Sequence, residues 1–172
     1  MADFDGTDAT MLSGESANGD YPVEAVATMA RIDEKAESAL ALNGRHVDNF
    51  DASDTTESVA AAVAEATKNI DIKAIVASTK SGYTAKLISK YRPNADILAL
   101  TYDEKVEKGL MLYWGVQPVI AEAPADTDAM IAAAKNLAVE KGLAVKGDKI
   151  IVVAGVAEAA GSTNLMTIQT ID

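Results

Sequence analysis

The sequence predicts an α/β fold: a three-layer domain with a mostly parallel five-stranded sheet, an antiparallel edge strand, and helices on both faces. Three observations carry this reading. Four short, continuous apolar runs at 74–77, 97–100, 117–121 and 149–154 alternate with helical patterns, as in a parallel sheet covered on both sides. A fifth run at 165–171 follows the fourth through a helix-free loop. A parallel crossover takes about a dozen residues or more, so this strand is expected antiparallel and at an edge. Finally, 49% of the 172 residues are hydrophobic, and a chain near this length buries roughly 70% of its unfolded surface.

The elements follow in order. Residues 1–20 are rich in Asp, Gly, Ser and Thr, with one apolar run, Ala9-Thr10-Met11-Leu12, before Ser13-Gly14-Glu15. That reads as a single buried strand and its exit loop. A lone strand is not stable without neighbours, so residues 1–20 are expected to belong to a larger, absent sheet and to be poorly ordered or re-packed here. Asp20 suits a helix cap and Pro22 a first helical turn. Val23, Val26, Ala27, Ala30 and Ile32 then recur at helical spacing, with a stop at Asn43-Gly44. Asp54-Thr55-Thr56-Glu57 has the form of a capping box opening an Ala-rich helix to about Lys68. Helices are expected around 85–91, between Asp103 and Tyr113, and over 126–141.

Composition excludes several functions. Cysteine is absent and His46 is the single histidine. Disulfides, thiolate nucleophiles and multi-histidine metal centres are therefore ruled out, and a cytoplasmic setting fits. His46 follows a helix stop and is expected at the surface. The net charge of -11 repels nucleic acid and anionic membranes, so neither is an expected partner. No apolar stretch approaches the ~20 residues of a membrane span. Asp3 and Asp5 form a weak acidic pair, and Trp114 and Tyr113 are expected to pack.

The loop Ser78-Thr79-Lys80-Ser81-Gly82-Tyr83-Thr84 leaves the carboxyl end of an expected parallel strand and enters a helix. Ligands gather at such ends in open α/β sheets, and free N–H groups with the helix dipole favour an anion there. Hydroxyls, one ammonium group and a glycine supply donors with little bulk. Ordinary Ser/Thr capping is the alternative. A second loop, residues 155–164, is expected at the same end. Its Gly161, Ser162 and Thr163 suit a ligand, whereas Glu158, Ala159 and Ala160 do not suit an anion.

The run DGTDATMLSGESANGDYP at 5–22 resembles the segment that closes the (β/α)8 barrel of pyruvate kinases. The resemblance continues through STKSGYTAKLISKYRP at 78–93, GVQP at 115–118, KGD at 146–148 and GSTN at 161–164, so it covers essentially the whole chain. It implies residues 1–20 as a barrel remnant and 21–172 as a C-terminal α/β regulatory domain. The implied parent transfers phosphate from phosphoenolpyruvate to ADP in glycolysis with Mg²⁺ and K⁺, and is a tetramer. The family's main catalytic and metal-binding groups lie on earlier barrel strands. Ser13 and Glu15 match a loop bordering the active site, so no catalytic residue, resident metal or cofactor is implied here. Thr79, Lys80, Ser81, Gly82, Tyr83 and Thr84 match the loop for the phosphate of an allosteric sugar bisphosphate, with Gly161, Ser162 and Thr163 nearby. Where many members carry an arginine for the second phosphate, this chain has Met130, and the second loop carries Val156, Ala157 and Glu158. A sugar monophosphate, a nucleotide or inorganic phosphate remain alternatives to fructose 1,6-bisphosphate. A homodimer is expected for this segment. A free-standing small phosphotransferase lacks the chemistry, and a pure interaction module is the third reading.

Overall fold

The computed structural model describes residues 6–41, 54–155 and 163–172. His46, Asp3, Asp5, Glu158, Gly161 and Ser162 lie outside them. Contacts divide the chain into two compact units, Met1–His46 and Val47–Asp172.

In the first unit, residues 9–12, an apolar run expected to be poorly ordered or re-packed without sheet neighbours, form no strand. A strand needs a ladder partner for its N–H and C=O groups, and the described residues of this unit contain no other strand. Thr10 Oγ1 instead donates to Asp33 Oδ2 at 2.7 Å, and Met11 is 86% exposed. A short helix that the sequence did not suggest, α1 (Gly14–Ala17), follows. The Glu15 carboxylate accepts the Ser13 N–H at 3.1 Å. Hydrogen bonds from the Glu15 and Ser13 backbones hold the Glu15 carboxyl below its ordinary range. The long helix α2 (Pro22–Ala41) starts at its proline, where the missing N–H has no intrahelical acceptor to lose.

In the second unit the elements are α3 (Thr55–Asn69), β1 (Ile72–Ser78), α4 (Tyr83–Lys90), β2 (Asp96–Thr101), α5 (Glu104–Leu110), β3 (Val116–Ile120), α6 (Thr127–Glu140), β4 (Lys149–Ala154) and β5 (Leu165–Thr170). The strand order is β3-β2-β1-β4-β5. β1 is central and parallel to both neighbours, with Val76 beside Leu98 on one side and Val152 on the other. β5 runs antiparallel to β4, pairing Ile151 with Ile168. Pro118 lies in β3, the far edge strand, where a proline removes fewest ladder bonds.

Alternation along the strands divides the core into two layers. Ile75, Ala77, Ile97, Ile151 and Val153 pack with Val63 of α3, Ile88 of α4 and Leu110 of α5. Ala74, Val76, Leu98, Ile150 and Val152 pack with Met130, Ala134, Leu137 and Ala138 of α6. Helices therefore cover both faces, as expected. Each fully buried isoleucine in these layers contributes about 1.5–3 kcal/mol relative to exposure.

Polar contacts fix the helices against each other. Asp54 caps α3 by accepting the Thr56 N–H. The nearly buried Glu57 carboxylate accepts from Lys90 Nζ at 2.6 Å and from the Tyr91 hydroxyl. That contact ties α3 to the carboxyl end of α4.

Candidate functional site

The chain runs from β1 outward to β2 and β3, then returns through α6 to β4 on the other side of β1. The strand order reverses between β1 and β4, which is where open α/β sheets form a ligand crevice at the carboxyl ends. The loop leaving β1 enters α4, and the loop leaving β4 returns as β5. The sequence-predicted loop at 78–84 therefore borders this crevice, as do the described ends of the second, Gly155 and Thr163.

Their described residues meet. Thr84 Oγ1 and Thr163 Oγ1 are 2.6 Å apart across 79 residues of sequence, with both residues buried. Thr163 is thus beside the first loop, as expected for it, while Gly161 and Ser162 lie outside the described residues.

The first loop is a built turn. Thr79 donates its backbone N–H to Leu100 O at 2.9 Å, which continues the β1–β2 ladder by one residue. Its buried hydroxyl accepts the Gly82 N–H at 3.0 Å. Gly82 has φ +80, a region costing roughly 1–2 kcal/mol for an L side chain. An added Cβ there would also stand 3.0 Å from Leu110 Cδ2 and 3.2 Å from Val106 Cγ1 of α5. Glycine is required on both counts.

Two of the expected amide donors, those of Thr79 and Gly82, are therefore engaged within the protein. The Lys80 and Ser81 amides have no partner among the described residues. Tyr83 and Thr84 open α4, and first-turn N–H groups have no intrahelical acceptor. Lys80, Ser81 and Tyr83 are exposed, while Thr79, Gly82 and Thr84 are buried. The donors left without a protein acceptor at exposed residues are thus the Lys80 and Ser81 amides, next to the first turn of α4.

The caps of the other helices differ. Asp54 accepts the Thr56 N–H, Asp103 accepts from Lys105 and Val106, and Asp126 accepts from Ala129. A carboxylate occupies the amino end of α3, α5 and α6. Gly82 caps α4 and provides no side-chain hydrogen bond. Among these four helices, α4 keeps its N-terminal dipole uncompensated by a carboxylate cap.

Sequence reasoning missed a pocket of about 180 Å³ beside this loop. Ser78, Thr101, Tyr102, Glu122, Pro124 and Met130 are among its lining residues. They come from the carboxyl ends of β1 and β2, the segment after β3, and α6. Its signal in the sequence was positional: each residue lies at or just beyond the end of an apolar strand run, or in the first turn of α6. Met130, noted in the sequence as standing in an arginine's position, is 6% exposed and packs from α6 against the sheet.

Among the described residues, no group of three or more His, Cys, Asp or Glu side chains is arranged to hold a metal ion. The Glu15 carboxylate is engaged with the Ser13 N–H. No helix among the described residues is long and apolar enough to cross a membrane.

Comparison with known proteins agrees with this geometry. Residues 57–169 match the family described as pyruvate kinase, alpha/beta domain. The chain is 56% identical over 169 residues to a pyruvate kinase of Lactococcus lactis subsp. lactis, covering 98% of this chain and 34% of that protein. It is 47% identical to a pyruvate kinase of Lactobacillus delbrueckii subsp. bulgaricus and 40% identical to one of Clostridium acetobutylicum, covering 98% of this chain and 29% and 36% of those proteins. The chain thus spans about a third of the length of these relatives. With a five-stranded mixed sheet, a glycine-capped loop at its reversal point and this match, the chain belongs to the pyruvate kinase α/β-domain family.

Proposed function

We infer that the second unit is an effector-binding and oligomerising domain of a pyruvate kinase, and that the loop at 79–84 receives the phosphate of a small-molecule effector. The observation that carries this reading is the amino end of α4. It has a glycine cap in place of a carboxylate, unengaged amides at the exposed Lys80 and Ser81, and a lysine side chain in the loop. Charge-assisted hydrogen bonds to such donors are each worth about 1.5–3 kcal/mol. Tyr83, the first residue of α4, is 42% exposed. Thr84 and Thr163 sit behind it.

The parent enzyme would transfer phosphate from phosphoenolpyruvate to ADP with Mg²⁺ and K⁺ in the cytoplasm. The chain by itself is proposed not to catalyse, because phosphoryl transfer depends on positioned metals and cations and the described residues build no metal site. Ser13 and Glu15 would border the parent's active site without carrying the chemistry. The domain would also join subunits, as a dimer for this chain and a tetramer for the parent, through the open edge of β5.

Titration calorimetry with inorganic phosphate tests the reading. Saturable binding is expected, weakened about tenfold or more by Lys80→Ala, the equivalent of one charge-assisted bond. Equal affinity in the two proteins would refute it.

A further inference from the structure

Residues 1–31 contain one side-chain amide, that of Asn18, and the residue after it is Gly19. Both are exposed, where the chain passes from α1 to α2. A side-chain amide followed by glycine has a chemistry of its own. The glycine's backbone nitrogen can attack the asparagine Cγ and close a five-membered imide. A Cβ on the following residue hinders that attack, and glycine has none. The fold requires this glycine. A Cβ built on Gly19 would overlap the Glu15 carbonyl oxygen and stand 3.1 Å from Glu15 C and 3.2 Å from Glu15 Cα. These are backbone atoms, which yield only if the turn itself moves.

Folded backbone ordinarily protects such a bond, because ring closure needs rotation about the asparagine Cα–C bond. At Asn18 little opposes that rotation. The residue is the C-cap of α1, with φ -136 and ψ 4, and its N–H donates to Gly14 O at 2.9 Å. That helix has four residues, none of them buried. Helices this short are marginal by themselves, and segments with few buried contacts open locally at low cost. The other described asparagines differ on both counts. Asn69 and Asn136 lie in α3 and α6, which have buried faces. The Asn94 N–H donates to Thr67 Oγ1 at 3.0 Å and the Asn164 N–H to Ala154 O at 3.1 Å. Each of the four precedes Ile, Leu or Ala. Asn43, which also precedes a glycine, lies outside the described residues.

We propose that Asn18 is a site of spontaneous, irreversible deamidation, set by the glycine that the turn requires. A C–N bond forms between Gly19 N and Asn18 Cγ. The Gly19 N–H proton and the side-chain amino group leave together as ammonia. Water then opens the imide. Cleavage of the new bond gives aspartate, and cleavage of the bond between Asn18 C and Gly19 N gives an isoaspartyl linkage through Cγ. Water is the single co-reactant. Either product places a negative charge between Glu15 and Asp20. The isoaspartyl form also lengthens the main chain by one carbon in the turn closed by Gly19 against Glu15. The altered segment carries Ser13 and Glu15, whose N–H and carboxylate are hydrogen-bonded at 3.1 Å.

The test is prolonged incubation of the 172-residue chain in warm, neutral buffer, followed by trypsin and mass spectrometry. The first Lys or Arg is Arg31, so the peptide 1–31 reports Asn18 alone. Its amide-to-acid mass change is expected about tenfold faster than that at Asn69, Asn94, Asn136 or Asn164, the ratio given by a barrier lower by ~1.4 kcal/mol. The rate should rise with pH, because the attacking nitrogen must lose its proton. An isoaspartyl methyltransferase should label the aged peptide 1–31. Asn18→Gln, which would have to close a six-membered ring, should abolish both signals. Conversion at Asn18 no faster than at Asn94 or Asn164 would overturn the proposal. So would a peptide 1–31 that stays unchanged in the folded chain while it converts in the chain unfolded by guanidinium chloride, since α1 would then protect the bond.

Discussion

Thr84 Oγ1 lies 2.6 Å from Thr163 Oγ1, and the two side chains are 6% and 2% exposed. This hydrogen bond joins the loop that leaves β1 to the loop that leaves β4, across the reversal in strand order. The two sides of the crevice are thereby held in one register. Removing either hydroxyl leaves the other buried without this partner, which costs about 1–3 kcal/mol. Thr84→Val and Thr163→Val are each expected to lower stability by that amount in urea denaturation. The double variant should lose less than the sum, with a coupling of about 0.5–1.5 kcal/mol. Strict additivity would mean that the two loops are independent.

Gly82→Ala tests the turn itself. The positive φ and the approach of α5 both oppose a Cβ. A loss of about 1–2 kcal/mol is expected, together with weaker phosphate binding, because the Lys80 and Ser81 amides move with the turn. A variant as stable as the original, with unchanged phosphate affinity, would mean that the left-handed cap is dispensable.

Much of this arrangement was legible in the sequence, for identifiable reasons. Three of the parallel strands, β1, β2 and β4, carry apolar runs because both faces are buried there, while β3 at the edge is only partly buried. Every residue from Ala74 to Ala77 is buried, so no polar alternation blurs the signal. The antiparallel β5 followed from loop length alone. At residues 9–12 the pattern reports capacity to form a strand, and pairing needs a neighbour that the described residues of the unit do not contain. The turn at 79–84 was found from its place after a strand, but the inward use of the Thr79 hydroxyl was not. A threonine that caps a turn and one that faces a ligand look alike in sequence. The pocket was missed because its walls come from four separated segments, and only the sheet order brings them together.

The edge of β5 is the subunit contact we propose. β5 pairs with β4 on one side, its other edge is unpaired in the sheet order, and Ile168 is 42% exposed. Unpaired edges invite pairing with another chain. Sedimentation equilibrium is expected to give a dimer that Ile168→Lys dissociates. A monomer at high protein concentration, or a dimer indifferent to Ile168→Lys, would place the contact elsewhere.

A coupled assay with phosphoenolpyruvate, ADP, Mg²⁺ and K⁺ addresses catalysis. Turnover indistinguishable from the protein-free reaction is expected. Activity that rises in proportion to protein concentration would contradict the assignment of the chemistry to the part of the parent outside this chain.

The central claim is that an anion sits at the amino end of α4. Amide-resolved NMR titration of the 172-residue chain with inorganic phosphate tests it most directly. Saturable shifts are predicted at the amides of Lys80, Ser81, Tyr83 and Thr84, with the carboxylate-capped amides Thr56, Lys105 and Ala129 unmoved. Saturable shifts at those three capped helix ends, with Lys80 and Ser81 silent, would contradict it.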